Sequence, residues 1–519
     1  MNLLFPKTRF QFEASEFCAL AVTFFMVLPW ISPFAPGPSP ASVPLLFTWF
    51  CMLLIILLAN ITSMPVAQGI KWIAGAWLIA GLVSSIIAVL QYFGSAAEFA
   101  PWVNQTRYAE AFANLRQRNQ FATLTNISLA ALLWLFLTAS KAGGELLKDA
   151  NKTFALGCFA AGVLMIGNAA SSSRTGLFQL LLLCVLCGWW GHWRSCAVRW
   201  VLGCAVLAYG ISAISLPYLA GLDLSEYGVA ARLGQDDACG SRLILWSNVL
   251  QLIAQKPWLG WGWGELDYAH FITLYDEPRF CDILDNAHNL PLHLAVELGM
   301  PAALMICGVF TWWVLRQRPW AERDATRQMA WAVMAVILLH SMLEYPLWYG
   351  PFQMAFGICI WLLWHPRQPA EAENSLKKAS NWSFGHILRV QAALFLIALL
   401  GYAAWDYHRI SQIYLEPEAR AVAYRTDTLN KIRSSWLFAD QVQFAELLTT
   451  PLTPANAEWT LTTARQLLHY SPEPRVIEKL IESAVLLGKD DEALAYLARY
   501  KAAFPKEHAL WAKANPKPI

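Results

Sequence analysis

About eleven stretches of roughly 20 mainly apolar residues constrain this chain more than any other feature. They fall near 17–34, 43–63, 71–92, 121–139, 154–170, 175–193, 198–219, 292–315, 328–346, 347–365 and 387–405. A hydrocarbon core is crossed by a helix of about that length, because every backbone polar group must be satisfied inside the segment. The chain therefore reads as an all-α, polytopic membrane bundle. Its charged fraction agrees: 14% of residues are Asp, Glu, Lys or Arg, against the roughly 25% of soluble proteins. The first stretch is expected to stay in place as a span, since FMVLPWISPFAPGPSP offers no convincing A-x-A cleavage site. A net charge of +2 provides no basic excess for phosphates, so nucleic acid is not an expected partner.

The positive-inside rule orients the bundle. Lys7 and Arg9, Lys141 with Lys148 and Lys152, Arg194 with Arg199, Arg316 with Arg318, Arg323 and Arg327, and Arg367 with Lys377 and Lys378 all fall on one side if the N-terminus is cytoplasmic. The other face then receives the loop at 93–120, the SSSRTG turn, a large loop at 220–290, the EYPLWYG turn and the tail. Domain organisation follows: a transmembrane part over 1–405 and an external tail over 406–519. The tail carries 14 Lys plus Arg and 14 Asp plus Glu, a soluble-domain composition. RVIEKLIESAVLLGKDDEALAYLARYKAAFP within it predicts helix, turn, helix. Pro472 and Pro505 recur near the tetratricopeptide period, so the tail is expected to be tetratricopeptide-like.

Of 11 cysteines most lie in apolar stretches, where a small buried hydrophobe suffices. Cys239 and Cys281 sit in the large external loop, where disulfides persist, and are expected to pair.

Ionisable residues that interrupt an apolar pattern beside a membrane are functional candidates. Here they gather on the external face: Arg174, Arg242, His288, His293, Glu297, His340 and Glu344. Each also has a plain structural reading. Arg174 suits snorkelling from a helix end; Arg242 could pair with Asp236 or Asp237 of its own loop. His293 and Glu297, at i and i+4, could simply bond each other, and His340 could be a satisfied polar group in a bundle. Asn289 reads as a helix cap with Pro291 in the first turn, which pins His288 just outside the helix. H-x-x-x-E provides two ligands on one helical face, but H-E-x-x-H is absent. The loop acids Asp223, Glu226, Asp236, Asp237, Asp282 and Asp285 lack D-x-D or EF-hand spacing. No metal and no cofactor are expected. P-loop, Rossmann and G-x-S-x-G motifs are absent as well. GWGWGE at 260–265 lacks the P-loop lysine, and its Trp261 and Trp263 suit an interface belt or stacking on a sugar face.

Five segments in order, QRNQFATL (117–124), SSSRTG (171–176), GSRLILWSNVLQLIAQKPWLGWGWGE (240–265), DNAHNLPLHLAVELGMP (285–301) and HSMLEYPLWY (340–349), together resemble the O-antigen ligase and polymerase superfamily. They are most similar to the bacterial O-linking oligosaccharyltransferases that glycosylate pilins. The resemblance implies transfer of a preassembled glycan from undecaprenyl diphosphate to a hydroxyl of a pilin-like protein on the periplasmic face of the inner membrane. It implies an essential histidine matching His288 and arginines matching Arg174 and Arg242, without metal; His340 and Glu344 stand in a family motif. An O-antigen ligase or a repeat-unit polymerase would use the same chemistry on a glycan acceptor. A lipid-linked glycan transporter would instead want its ionisable groups at mid-bilayer.

The residue types suit that chemistry on their own account. Breaking a sugar–diphosphate bond leaves a polyanion, which the bidentate guanidinium fork stabilises as charge develops. A hydroxyl nucleophile needs a base, and histidine is the side chain best matched to neutral pH.

Overall fold

Each of the apolar stretches is helical in the computed structural model, which describes residues 7–39, 41–62, 66–141, 150–223, 239–364 and 384–515. Lys148, Glu226, Asp236, Asp237, Arg367, Lys377 and Lys378 lie outside the described residues. The first seven helices are α1 (Lys7–Ile31), α2 (Ser42–Thr62), α3 (Val66–Tyr92), α4 (Arg118–Lys141), α5 (Ala150–Ala170), α6 (Arg174–Trp189) and α7 (Cys196–Leu219). The large loop contributes α8 (Arg242–Gln255) and α9 (Leu266–Ile272), followed by α10 (Leu290–Leu298) and α11 (Met300–Gln317). The bundle closes with α12 (Ala325–Ser341), α13 (Gly350–Trp364) and α14 (Phe384–Ser411). Among the described residues six helical segments are long and apolar enough to cross a membrane: Ser42–Asn60, Ala67–Tyr92, Arg118–Thr138, Lys152–Ala170, Cys196–Leu219 and Ile387–Tyr414. Glu16–Ile31, Arg174–Trp189 and Gly350–Trp364 are shorter apolar helices.

The stretch at 292–315 departs from its expected form as one continuous helix. It breaks at Gly299, whose φ is +87°. A Cβ there would meet the carbonyl oxygen of Trp258 at 2.3 Å, and one on Gly260 would meet that of Glu297 at 2.3 Å. Two glycines thus let the loop backbone press against the α10–α11 junction, where no side chain fits. α10 buries Leu294, Ala295 and Val296 against Leu245, Val249 and Leu252 of α8. α11 turns Leu304, Met305, Val309 and Trp312 outward, a bare apolar face of the kind a bilayer covers.

α4 runs through the middle of the bundle. Its Phe121, Leu124 and Ile127 are fully buried beside Leu164 of α5, Leu180 of α6 and Val333 of α12. Polar side chains threaded through this apolar core are paired across helices. The Asn126 amide donates to the Gly176 carbonyl at 3.1 Å, Asn168 donates to Thr125 Oγ1 at 2.9 Å, and Gln179 donates to Thr123 Oγ1 at 2.8 Å. Such bonds fix the rotation of each helix about its axis, and so fix which residues emerge at the end where Arg174 begins α6.

Beyond α14 the tail continues as α15 (Thr428–Ile432), α16 (Ala439–Thr449), α17 (Ala457–Leu467), α18 (Pro474–Leu486), α19 (Asp490–Ala503) and α20 (Pro505–Ala514). The helix–turn–helix expected around GKDD is α18 and α19, reversed at Gly488 with φ +68°. The tail's core, built on Leu461, Leu467, Leu480 and Tyr500, also takes in Phe271 of α9, which is 2% exposed. Around it Tyr268 stacks on His469 at 3.8 Å, His469 Nδ1 pairs with Glu265 Oε2 at 2.7 Å, and the Arg499 guanidinium donates to the Ile272 carbonyl at 2.8 Å. Loop and tail share a core. Phe271→Ala should therefore cost about 3–5 kcal/mol of local stability and speed amide exchange in both α9 and the α17–α19 helices. Exchange that quickened in α9 alone would show that the two parts are energetically separate.

Cys239 and Cys281 are joined as a disulfide with Cα atoms 5.4 Å apart and a sequence separation of 42. In the chain-entropy model a loop of that size is worth roughly 3–4 kcal/mol. The bond ties the entry to α8 to the segment that leads into residue 288. Mass spectrometry of protein from an oxidising compartment should find both thiols blocked, and free thiols at both positions would reject the pairing.

Candidate active site

Three capped helices deliver the candidate residues. Ser173 accepts from Gly176 N at 3.0 Å and starts α6 at Arg174. Ser241 accepts from Ile244 N at 3.3 Å and starts α8 at Arg242. Asn289 accepts from Leu292 N at 3.2 Å, starts α10, and leaves His288 one residue outside it. A serine or asparagine cap satisfies a backbone N–H that would otherwise be orphaned. A cation in the first helical turn, by contrast, opposes the helix dipole. Neither arginine stands where helix stability would put it, and both stand where an anion would be attracted twice, by guanidinium and by helix end.

His288 has φ +50°, uncommon for a residue with a side chain. The surrounding hydrogen bonds hold it there: His288 N donates to Asn286 Oδ1 at 2.9 Å, and Trp246 Nε1 donates to the Ala287 carbonyl at 3.1 Å. Tyr345 packs edge-on against the imidazole with ring centres 5.1 Å apart.

The centre of the site is Glu344, in the turn after α12 and only 7% exposed. Its Oε2 lies 2.7 Å from His288 Nδ1, and its Oε1 pairs with the Arg242 guanidinium. Oε1 also accepts from the Asn119 amide at 3.3 Å, and Asn119 Oδ1 in turn accepts from Ser173 Oγ at 2.6 Å. Burial by itself would raise the Glu344 pKa, but hydrogen bonding and charge from His288, with Arg242 behind them, hold it below the usual carboxylate range. Asp285, beside the same histidine, is raised by burial, and Asp267 on α9 is pushed up to about 7 by burial among Glu265, Asp285 and Glu297. Among these neighbouring acids Glu344 is the one whose pKa is lowered. Ionised, it accepts from Nδ1–H, which leaves the lone pair of His288 on Nε2.

Arg242 thus pairs across 102 residues of sequence with Glu344, while Asp236 and Asp237 of its own loop lie outside the described residues. Arg174 is exposed and makes no ion pair among the described residues. It is tied to the cluster through its neighbour Ser173 and Asn119. His340 is fully buried on α12, with Nδ1 2.9 Å from Thr123 Oγ1. His293 is buried too, its Nε2 3.4 Å from Glu297 Oε2. Trp261 is half-buried, donating to the Leu252 carbonyl at 3.0 Å with Lys256 over its ring, and so takes a structural place. Among the described residues no three His, Cys, Asp or Glu side chains converge as metal ligands. Asn119 was not singled out as a site residue from the sequence. Its signal is the polar QRNQ run at the mouth of an otherwise apolar helix.

Comparison with known proteins places three family descriptions along the chain. Residues 111–136 match a protein glycosylation ligase family, 158–307 an O-antigen ligase family and 328–517 the C-terminal part of a virulence factor membrane-bound polymerase family. The chain is 25% identical over 381 residues to a general O-oligosaccharyltransferase of Acinetobacter baylyi, covering 69% of this chain and 62% of that protein. It is 23% identical over 352 residues to a ComP-specific O-oligosaccharyltransferase of the same organism, covering 66% of this chain and 60% of that one. The matches therefore span somewhat under two thirds of each relative's length.

Proposed function

From the premise that this chain belongs to the O-antigen ligase family, we propose that it is an O-linked oligosaccharyltransferase. Its donor is a preassembled glycan on undecaprenyl diphosphate and its acceptor a Ser or Thr hydroxyl of a pilin-like protein. The observation that carries the reading is the pairing of one buried carboxylate with His288 Nδ1 at 2.7 Å and with Arg242, which supplies a base and an anion-binding cation at one point. The acceptor hydroxyl would give its proton to His288 Nε2 as its oxygen attacks the anomeric carbon. The bond from that carbon to the diphosphate oxygen breaks, and its electron pair leaves with the diphosphate. Glu344 would hold the imidazole in the productive tautomer and stabilise the imidazolium that forms. Arg242 and Arg174 would meet the negative charge growing on the leaving diphosphate.

The proposal includes about eleven spans in the bacterial inner membrane, with the N-terminus in the cytoplasm and the site, the large loop and a tetratricopeptide-like tail in the periplasm. The Lys and Arg distribution supports that orientation. A reporter fused after Asp406 should be active only in an export-dependent format.

A glycan acceptor is the second reading, favoured by the O-antigen ligase and polymerase matches over 158–307 and 328–517. The test is direct: purified protein, an undecaprenyl-diphosphate-linked oligosaccharide and a candidate pilin should yield a pilin heavier by the glycan mass. Transfer confined to lipid A core, with the pilin unmodified, would make the chain a ligase.

A further inference from the structure

Next to the dyad lies an aromatic pair that this chemistry does not use. Trp263 and Trp348 stack with ring centres 6.0 Å apart and planes 9° from parallel. His293 meets both edge-on, at 6.2 and 4.9 Å. Trp348 belongs to the turn that carries Glu344 and Tyr345, and His293 is the fourth residue of α10, five positions after His288. Both rings are thereby tied to the elements that hold the base.

Trp263 is 63% exposed, and since one face of its ring rests on Trp348, the other is open. Considerable local structure keeps it there. Gly262 and Gly264 on either side have φ of +119° and +79°. Gly262 N donates to the Glu297 carbonyl at 3.0 Å, and Trp261 N donates to that of Val296 at 2.9 Å. A bulky indole held rigidly out of the core loses hydrophobic stabilisation that burial would have supplied. Beside it, the 2%-exposed His293 has an Nδ1 with no partner, a buried polar group of the kind that awaits one. An open flat aromatic face suits the apolar C–H face of a pyranose ring, whose hydroxyl or amide groups stay free around its rim.

We propose that Trp263, backed by Trp348, is the platform on which a pyranose ring of the donor glycan stacks while the diphosphate lies at the arginines. This deepens the oligosaccharyltransferase reading and rests on it. The test separates sugar from lipid by binding rather than turnover. Affinities of wild type, Trp263→Phe and Trp263→Ala in nanodiscs are measured for undecaprenyl diphosphate and for the same lipid bearing an N-acetylhexosamine disaccharide. Trp263→Ala should weaken the glycosylated lipid by roughly 3- to 10-fold, the scale of an aromatic stacking contact. It should leave the sugar-free lipid within twofold, and Trp263→Phe should keep most of the affinity. Equal weakening for both lipids would assign the platform to the isoprenoid and overturn the proposal, as would no weakening for either. Selective weakening in a protein that transfers nothing would keep the platform and remove the transferase reading instead.

Discussion

His288→Ala should lower glycan transfer by roughly 100- to 10,000-fold, the usual contribution of a positioned acid–base group, while the protein still inserts and binds donor. The expectation rests on geometry. Glu344 occupies Nδ1 of the imidazole, the side chain is 19% exposed, and Nε2 is the nitrogen left to face a hydroxyl. Asn289→Ala is the control for local structure, since it removes a cap two atoms of backbone away without touching the base and should cost only about 1 kcal/mol. If a well-folded His288→Ala enzyme transferred glycan at near wild-type rate, the base would have to be sought elsewhere. The two other histidines of the segments around the site are poorly placed for the part: His340 has no exposed surface and bonds Thr123, and His293 is enclosed beside Glu297.

Much of the fold was legible because membrane helices are written in a coarse code. An apolar run of about 20 residues has few alternatives in a bilayer, and each such run is helical here, the one at 292–315 as two helices. The break at Gly299 was not legible, since LHLAVELGMPAALMICGVF stays apolar across it. What ends α10 is a loop backbone arriving from Trp258 and Leu259, contact information that periodicity cannot hold. The docking of Phe271 into the tail is the same kind of fact: LDYAHFI is a short amphipathic turn in sequence, and only the tail's packing decides which face is covered. At the site, residue types pointed to Arg174, Arg242, His288, His293, Glu297, His340 and Glu344, because charge in an apolar setting is costly and therefore conspicuous, and the family resemblance singled out His288, Arg174 and Arg242. The pairing of Arg242 with Glu344 was not legible, since the sequence offers acids near Arg242 only in its own loop, while the α8 N-terminus faces the turn after α12. Asn119 escaped notice because an amide near a helix start is common. Its importance comes from touching Glu344 and Ser173 at once.

Glu344 is where the second large effect should appear, and two substitutions separate its roles. Glu344→Ala removes the acceptor that fixes Nδ1–H and leaves Arg242 without its buried counter-charge. Loss of an orienting carboxylate from a histidine base costs up to roughly 10,000-fold in turnover in a hydrolase triad, and a fall of more than 100-fold is expected here. Glu344→Gln preserves shape yet should do no better. Its amide can donate to Nδ1, which places the imidazole proton on Nε2 and abolishes the base, while its oxygen offers Arg242 a weaker partner than a carboxylate. Stability gives an independent reading with a definite sign. The Glu344 pKa is lowered in the folded protein from an ordinary value of 4.5, so the stability it contributes is present above pH 4.5 and is lost as pH falls through the lowered pKa. Wild type should therefore lose thermal stability below pH 4.5 more steeply than Glu344→Gln, which has no proton to gain there. Identical acid profiles, or a Glu344→Gln enzyme that transfers glycan at wild-type rate, would mean that the carboxylate neither holds the base nor shares its charge with Arg242.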